Sequence, residues 1–274
     1  MLINYLCVSR GKLNLIDYNL RSVKNLNKTF FILLLSILLI FSVLPGFAAE
    51  QVTAKAILEK VDNILNAPQD QKIHIKLFLI GENGIEEESR ELVMMQKGEK
   101  RMGKFLSPAS QRGIGFLSLP NDLFYVYMPA FKKTQRIATR QKSGKFAGTD
   151  FSYQDLGTQQ YSKEWSSQLL ESDQEDYILQ LQATEGNSTG YSQLMLWVSK
   201  TSFFPVKVEF YDQNKRLCKI LTSKNIQEIS GYLIARELEM VDVIKNHKTR
   251  MFLEKVEFDT GLSDEFFTER YLSR

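Results

Sequence analysis

From about residue 70 the chain changes side at nearly every position. Ile73, Ile75, Leu77 and Leu79 alternate with His74, Lys76 and Phe78, the period-two pattern of a half-buried strand. The same pattern predicts strands at 92–97, 101–106, 113–119, 123–128, 177–184, 191–199, 206–211, 217–222, 232–243 and 248–258. Turn signals such as "GENG", "NSTG", "YDQNKR", "SG" and "KNHK" separate them. Eleven strands at hairpin spacing, with no long helix between them for parallel crossovers, predict one antiparallel sheet.

Helical spacing appears earlier, in "TAKAILEKVDNILN" (53–66). Ala56, Ile57, Val61, Ile64 and Leu65 share a face, Thr53 is placed to cap, and Pro68 stops continuation. Its narrow apolar stripe predicts a helix lying across something, not one buried all round. The chain ends on "LSDEFFTERYL", where Ser263 and Asp264 begin a short turn or helix.

A sheet this wide curls or closes. Several strands put bulk on one parity: Tyr191, Met195 and Trp197; Val206, Val208 and Phe210; Leu179, Leu181 and Ala183. The opposite positions, such as Gln180, Gln182, Lys207 and Glu209, are polar. We therefore expect a curved sheet with an apolar inside, covered by helix 53–66, the region 149–170 and the C-terminus. Either side chains fill that inside or a cavity remains for a hydrophobic ligand. Leu77, Leu79, Leu117, Tyr125, Tyr127, Leu179, Leu181, Met195, Trp197, Val208, Phe210, Met251 and Leu253 are the expected lining, and each fits an ordinary core equally well.

The first 48 residues read differently. "FFILLLSILLIFSVL" (30–44) follows Lys24 and Lys28 and precedes "PGFAAE", with Gly46 and Ala48 at the spacing a signal peptidase accepts. This predicts a secretory signal cut after Ala48; the alternative is an uncleaved anchor, for which the apolar run is short. The 28 residues ahead of the run make a long leader, consistent with a start nearer Val23 or Leu26. Cys7 lies upstream of the run and no cysteine lies at the cut, so no lipid anchor is expected. The expected mature protein is one domain, 49–274, in the periplasm.

Removing the leader changes the charge. It holds Arg10, Lys12, Arg21, Lys24 and Lys28 against Asp17, leaving 30 basic and 31 acidic residues. Nucleic-acid binding, which needs a positive surplus, is not supported. One cysteine remains, Cys218, so the core must hold the fold without an internal disulfide. His74, His247 and Cys218 show no metal-ligand spacing, and no nucleophile or phosphate-loop motif occurs. We expect no metal, no cofactor and no catalytic residue.

From Leu123 to Thr149 there is no acid, while Lys132, Lys133, Arg136, Arg140, Lys142 and Lys145 all fall there. This is either a solvated hairpin or a docking loop for anionic headgroups or an acidic partner. It runs into "GKFAGTDFSYQDLG" (144–157). There Asp150 or Ser152 is placed to cap a short helix, and Ser152 and Asp155 have capping-box spacing. Gly157 suits a left-handed exit. Phe146, Phe151, Tyr153 and Leu156 would be the apolar face of a short lid, with the aspartates serving backbone amides.

The stretch 101–157 resembles the LolA-like outer-membrane lipoprotein-sorting family, in particular the branch encoded near resistance-nodulation-division (MMPL-type) exporters. The matching positions are Phe105 and Pro108, Tyr127 and Pro129, Arg136 and Arg140, then Phe146, Gly148, Thr149, Asp150, Phe151, Ser152, Tyr153, Asp155 and Leu156. The resemblance implies an unclosed, strongly curved antiparallel β-barrel with helices over its concave face and an apolar cavity for acyl chains. It implies a monomeric periplasmic carrier of lipid or acylated lipoprotein, working with an inner-membrane exporter or an outer-membrane acceptor. The alternative is a non-carrier interaction subunit of such an exporter; an exported hydrolase ranks below both.

Overall fold

In the computed structural model, residues 52–184 and 189–274 are described. The signal expected at 1–48, and Asn187 and Ser188 of the "NSTG" turn, lie outside the described residues. Helix α1 (Ala54–Leu65) begins where Thr53 Oγ1 accepts the Ala56 N–H at 3.2 Å. It buries Ile57 and Val61 of the expected stripe together with Leu58, which that stripe omits, while Ala56, Ile64 and Leu65 are half-buried.

Thirteen strands follow: β1 (Asp70–Ile80), β2 (Glu86–Lys97), β3 (Lys100–Ser107), β4 (Gly115–Leu119), β5 (Leu123–Met128) and β6 (Lys133–Arg136), then β7 (Trp165–Ser172), β8 (Asp176–Ala183), β9 (Gln193–Ser199), β10 (Pro205–Tyr211), β11 (Leu217–Ile229), β12 (Tyr232–Asp242) and β13 (His247–Phe258). They form one antiparallel sheet in the order β6-β5-β4-β3-β2-β1-β13-β12-β11-β10-β9-β8-β7. Consecutive strands pair throughout, and β1 joins β13, with Leu77 opposite Met251. The edges β6 and β7 do not pair, so the curved sheet stays open along one seam.

Alternation expected from sequence gives eleven of these strands, and the two it omits are the edges. Only Thr134 of β6 is shielded from full exposure, so no apolar face marks that strand. Charged short edges are how sheets avoid pairing with other chains. The helical reading of 149–170 is corrected as well. That region holds a single 3-10 turn (Gln154–Leu156), the one-turn helix α2 (Tyr161–Glu164) and the first six residues of β7.

One core joins the inner faces of strands far apart in the order, including Phe116 and Phe124, Leu92 and Phe105, Leu77 and Met251, and Leu179 and Leu196. A second, smaller core lies on the outer face. Met95, Met102 and Leu117 are direct cross-strand neighbours there and pack with Leu262, Phe267 and Leu272 of the C-terminal tail. The tail, with a 3-10 turn (Asp264–Phe267) and α3 (Glu269–Leu272), thus covers the outside of β3 and β4 and does not help to fill the inside.

Candidate ligand-binding site

The segment 144–157 is the plug of the inner face. Its turn passes through left-handed backbone at Ala147 (φ 49°) and Gly148 (φ 76°) and closes on a Phe146 N–H to Phe151 C=O bond of 2.9 Å. This aims the Phe146 ring inward, stacked on Phe105 at 5.5 Å and edge-on to Phe116 at 5.3 Å. Tyr153 meets Phe124 edge-on at 5.7 Å. Edge-to-face and offset-stacked rings gain from their quadrupoles beyond the area they bury. Phe146, Phe151 and Leu156 are buried, so the expected apolar face is real and points into the half-barrel.

Polar side chains fasten that plug. Asp150 is fully buried. Its carboxylate accepts from Lys145 Nζ at 2.7 Å and Thr249 Oγ1 at 2.8 Å, and lies 2.6 Å from His247 Nδ1. Its own N–H donates to Thr249 Oγ1. Lys145 also reaches Asp242 at 2.9 Å. Burial pushes the Lys145 ammonium down, but hydrogen bonds and charge from Asp150 and Asp242 outweigh it and leave the pKa above the ordinary range. Asp242 shows the reverse: burial raises its carboxyl, and Lys145 and the Lys245 amide bring it below the usual value. Asp150 is therefore a hub of side-chain pairs, in place of the helix cap expected from its position.

Asp155 does both jobs. Its Oδ2 accepts the Ser152 N–H at 2.7 Å, and Ser152 Oγ accepts the Asp155 N–H at 3.4 Å, completing the expected capping box. The same carboxylate takes the Tyr191 hydroxyl at 3.0 Å and Lys219 Nζ at 3.0 Å. Burial, then the Asp155 charge, holds the Tyr191 phenol well above its ordinary pKa. Gly157 leaves the turn in extended backbone (φ −70°, ψ 170°), not left-handed. After it, Asp62 of α1 accepts the N–H groups of Tyr161 and Ser162 at 2.8 Å each, tying the helix to the end of the plug.

Beside the plug, a cavity of about 560 Å³ lies between the plug, the β4–β5 turn, the 158–165 segment and inner-face residues of β9 to β12. Phe124, Phe151, Trp165, Tyr191, Leu194, Phe210, Leu221 and Met240 make its apolar wall. Asn121, Asp122, Lys142, Thr158, Lys163 and Glu164 make a polar one. Lys142 Nζ is buried against the carboxylate and carbonyl of Asp122. Burial, reinforced by the charges of Asp62 and Asp122, pushes the Glu164 carboxyl up to about 7. The cavity is thus two-sided, with an apolar wall for hydrocarbon facing a polar wall for a headgroup.

Of the thirteen residues expected to line a cavity, Phe210 lines this one. Leu77, Leu179, Leu181, Val208, Met251 and Leu253 are inner-face core, and Leu79 is buried on the same face, opposite Thr249. Five lie on the outer face. Leu117, Tyr125 and Tyr127 pack under the C-terminal tail. Met195 stands opposite Gln180 and Glu209, and Trp197 stands opposite Lys207, whose Nζ lies 4.0 Å from the Trp197 ring. The inward residues of β9 are Leu194, Leu196 and Val198. Their unbroken aliphatic run was the signal available; the bulk of Trp197 pointed the other way.

The basic stretch divides similarly. Lys132, Lys133, Arg136 and Arg140 are exposed, whereas Lys142 and Lys145 are the interior pairs already described. Among the described residues no cluster of three or more His, Cys, Asp or Glu side chains has the geometry of a metal site. No helix among them is long and apolar enough to cross a membrane.

A family model for uncharacterized proteins matches residues 97–274, which include β3 to β13 and the plug. None of the curated proteins compared matches the chain. Among solved structures, a putative outer membrane lipoprotein-sorting protein domain from Vibrio parahaemolyticus is 27% identical over 81% of this chain and 98% of its own, with a TM-score of 0.72. A LolA superfamily protein from Nitrosomonas europaea is 25% identical over 80% of this chain and 99% of its own, with a TM-score of 0.68. The chain belongs to the family of that model and is similar in sequence and fold to LolA-superfamily proteins. A DUF1329 family protein from Desulfovibrio piger, 23% identical over 80% of this chain and 99% of its own, shares the fold with a TM-score of 0.73. The LolA-like half-barrel here is the curved, open sheet described above, with the 144–157 segment as its inner plug.

Proposed function

We propose that this protein is a periplasmic carrier that shelters an acyl chain of a lipid or lipoprotein in the cavity beside the plug. The observation that carries the reading is the cavity itself: about 560 Å³, with Phe124, Phe151, Trp165, Leu194, Phe210, Leu221 and Met240 on one wall and polar side chains on the other. Similarity to a lipoprotein-sorting domain supports the same cargo class. Transfer of methylenes from water to such a wall is worth about 0.8 kcal/mol each, so a partly inserted chain binds firmly without any covalent step. The polar wall at Lys142, Lys163 and Glu164 would leave the carboxyl or headgroup end of the cargo near water.

The role needs no catalysis and no cofactor. Export by the leader would place the carrier between an inner-membrane donor and an outer-membrane acceptor, working as a monomer. Lipid extraction and native mass spectrometry of the purified protein test the reading. A copurified lipid or fatty-acyl adduct is the expected result. A bare protein mass that stays bare after incubation with fatty acid would favour an accessory subunit of an envelope exporter.

A further inference from the structure

Hairpin turns of the sheet fall at its two ends, and their side chains differ sharply. One end carries the turns 81–85, 108–114, 129–132, 212–216 and 243–246 and the connection 184–192, of which 184 and 189–192 are described. The other carries 98–99, 120–122, 173–175, 200–204 and 230–231, and the exit from β13 at 259. Pairing of Ile80 with Lys248 puts the β1–β2 and β12–β13 turns side by side, where Asn246 Nδ2 donates to the Glu82 carbonyl at 3.2 Å. A Cβ on Gly113 would sit 3.0 Å from the Pro129 ring, so the β3–β4 and β5–β6 turns also touch.

Among the described residues, four of the six exposed large apolar side chains lie in turns of the first end: Ile85, Phe131, Val243 and Ile244. Phe131 is 74% exposed, Ile244 65% and Ile85 63%, values that mark tips standing clear of the protein. Among the described residues, the turns at this end contain five cations, Arg112, Lys132, Lys215, Arg216 and Lys245, against two acids, Glu82 and Asp212. The other end reverses the balance. Its turns and the β13 exit hold Glu99, Asp122, Asp173, Glu175 and Asp259 against Lys200 alone among the described residues. Just inside the first end, Ile80 of β1 stands between Glu86 of β2 and Lys248 of β13, and Lys133 begins β6.

We infer that this apolar-tipped, basic rim docks on an anionic lipid bilayer, with Phe131, Ile85 and Ile244 entering the headgroup boundary and the cations sitting at the phosphates. Apolar tips beside Lys and Arg are the composition of an interfacial membrane contact. A protein partner would need a shaped surface, whereas these residues sit on separate turns spread around a rim. Adjacent strands are about 4.8 Å apart, so the tips on the β1–β2 and β5–β6 turns are separated along the curve. A plane of lipid meets separated tips at once. The acidic end would then face away from the membrane.

The test uses the domain 52–274, a single compact unit that matches almost the whole length of the crystallised relatives. Cosedimentation is measured with phosphatidylcholine vesicles, with and without phosphatidylglycerol. Binding is expected only with phosphatidylglycerol, weakening as salt rises. The triple variant Ile85→Ser, Phe131→Ser, Ile244→Ser and the pair Lys132→Glu, Lys245→Glu should each lose more than about tenfold in affinity, a factor that corresponds to ~1.4 kcal/mol. Asp173→Ala with Glu175→Ala, at the other end, should bind as wild type. Equal binding to both vesicles, no binding to either, or wild-type binding by the triple variant would overturn the proposal; no binding to either points to a protein as the rim's partner. All these positions are exposed, and circular dichroism checks the fold. Fatty-acid uptake without vesicles should survive the rim variants, so docking and cargo binding succeed or fail separately.

Discussion

Asp150 Oδ2 and His247 Nδ1 are 2.6 Å apart, across 97 residues of chain and with the carboxylate fully buried. This contact, with Thr249 and Lys145 on the same carboxylate, is what fastens the plug to β13. Removing one partner of a buried charge network costs about 3–5 kcal/mol. Asp150→Ala should therefore lower unfolding free energy by roughly 3 kcal/mol or more in urea titration. A loss within about 0.5 kcal/mol, the range of surface substitutions, would show that the network contributes nothing net.

Gly103 gives a packing prediction. A Cβ there would lie 2.3 Å from the Phe116 ring, and Phe116 is held by Phe124 and Phe146 on its other sides. Gly103→Ala should destabilise by about 1–3 kcal/mol through overpacking, although alanine suits a strand better than glycine does. Thermal unfolding of the variant at or above the wild-type midpoint would refute it.

Two pH effects follow, with opposite signs. The Asp242 carboxyl lies below its ordinary range in the folded state, so its stabilisation is present above the unfolded pKa near 3.9 and is lost as pH falls through the folded value. Asp242→Asn should flatten the acid limb of the stability curve below about pH 4. Glu164, raised to about 7, binds its proton more readily folded than unfolded, so stability declines as pH climbs from about 4.5 to 7. Glu164 is crowded by protein on its cavity side but keeps much of its surface in water, and solvent screening keeps this second effect small. Glu164→Gln should remove it, as read by denaturant midpoints across that window.

Much of this architecture was legible because alternation reports a sheet with one dry face. Ile73, Ile75, Leu77 and Leu79 were all read correctly as one inner face. The edges were not legible, since β6 is too polar and short to alternate and β7 begins with Trp165 inside a region that looks helical. Face assignment failed where both faces carry bulk: Leu117, Tyr125 and Tyr127 serve an outer core built with the distant tail. Periodicity gives two faces but does not say which one a tail will cover. The plug was legible as a motif, and its capping box was read from spacing. The partners of Asp150 were not, because His247 and Thr249 reach it only through the register of β13.

The face correction gives its own check. Trp197→Glu changes the outer face beside Lys207 and Glu209, so it should leave both folding and ligand uptake near wild type. The same change at Leu194, an inner-face residue on the cavity wall, should abolish folding or uptake.

Uptake of a fluorescent fatty acid by the domain 52–274, titrated in wild type and in Leu221→Trp, tests the carrier reading most directly. Leu221 lies on the cavity wall between Val208 and Met240, and an indole there would occupy space meant for the acyl chain. The account predicts saturable uptake by wild type and a loss of about tenfold or more in a Leu221→Trp variant that keeps its circular dichroism spectrum. No uptake by wild type, or equal uptake by both, would contradict it.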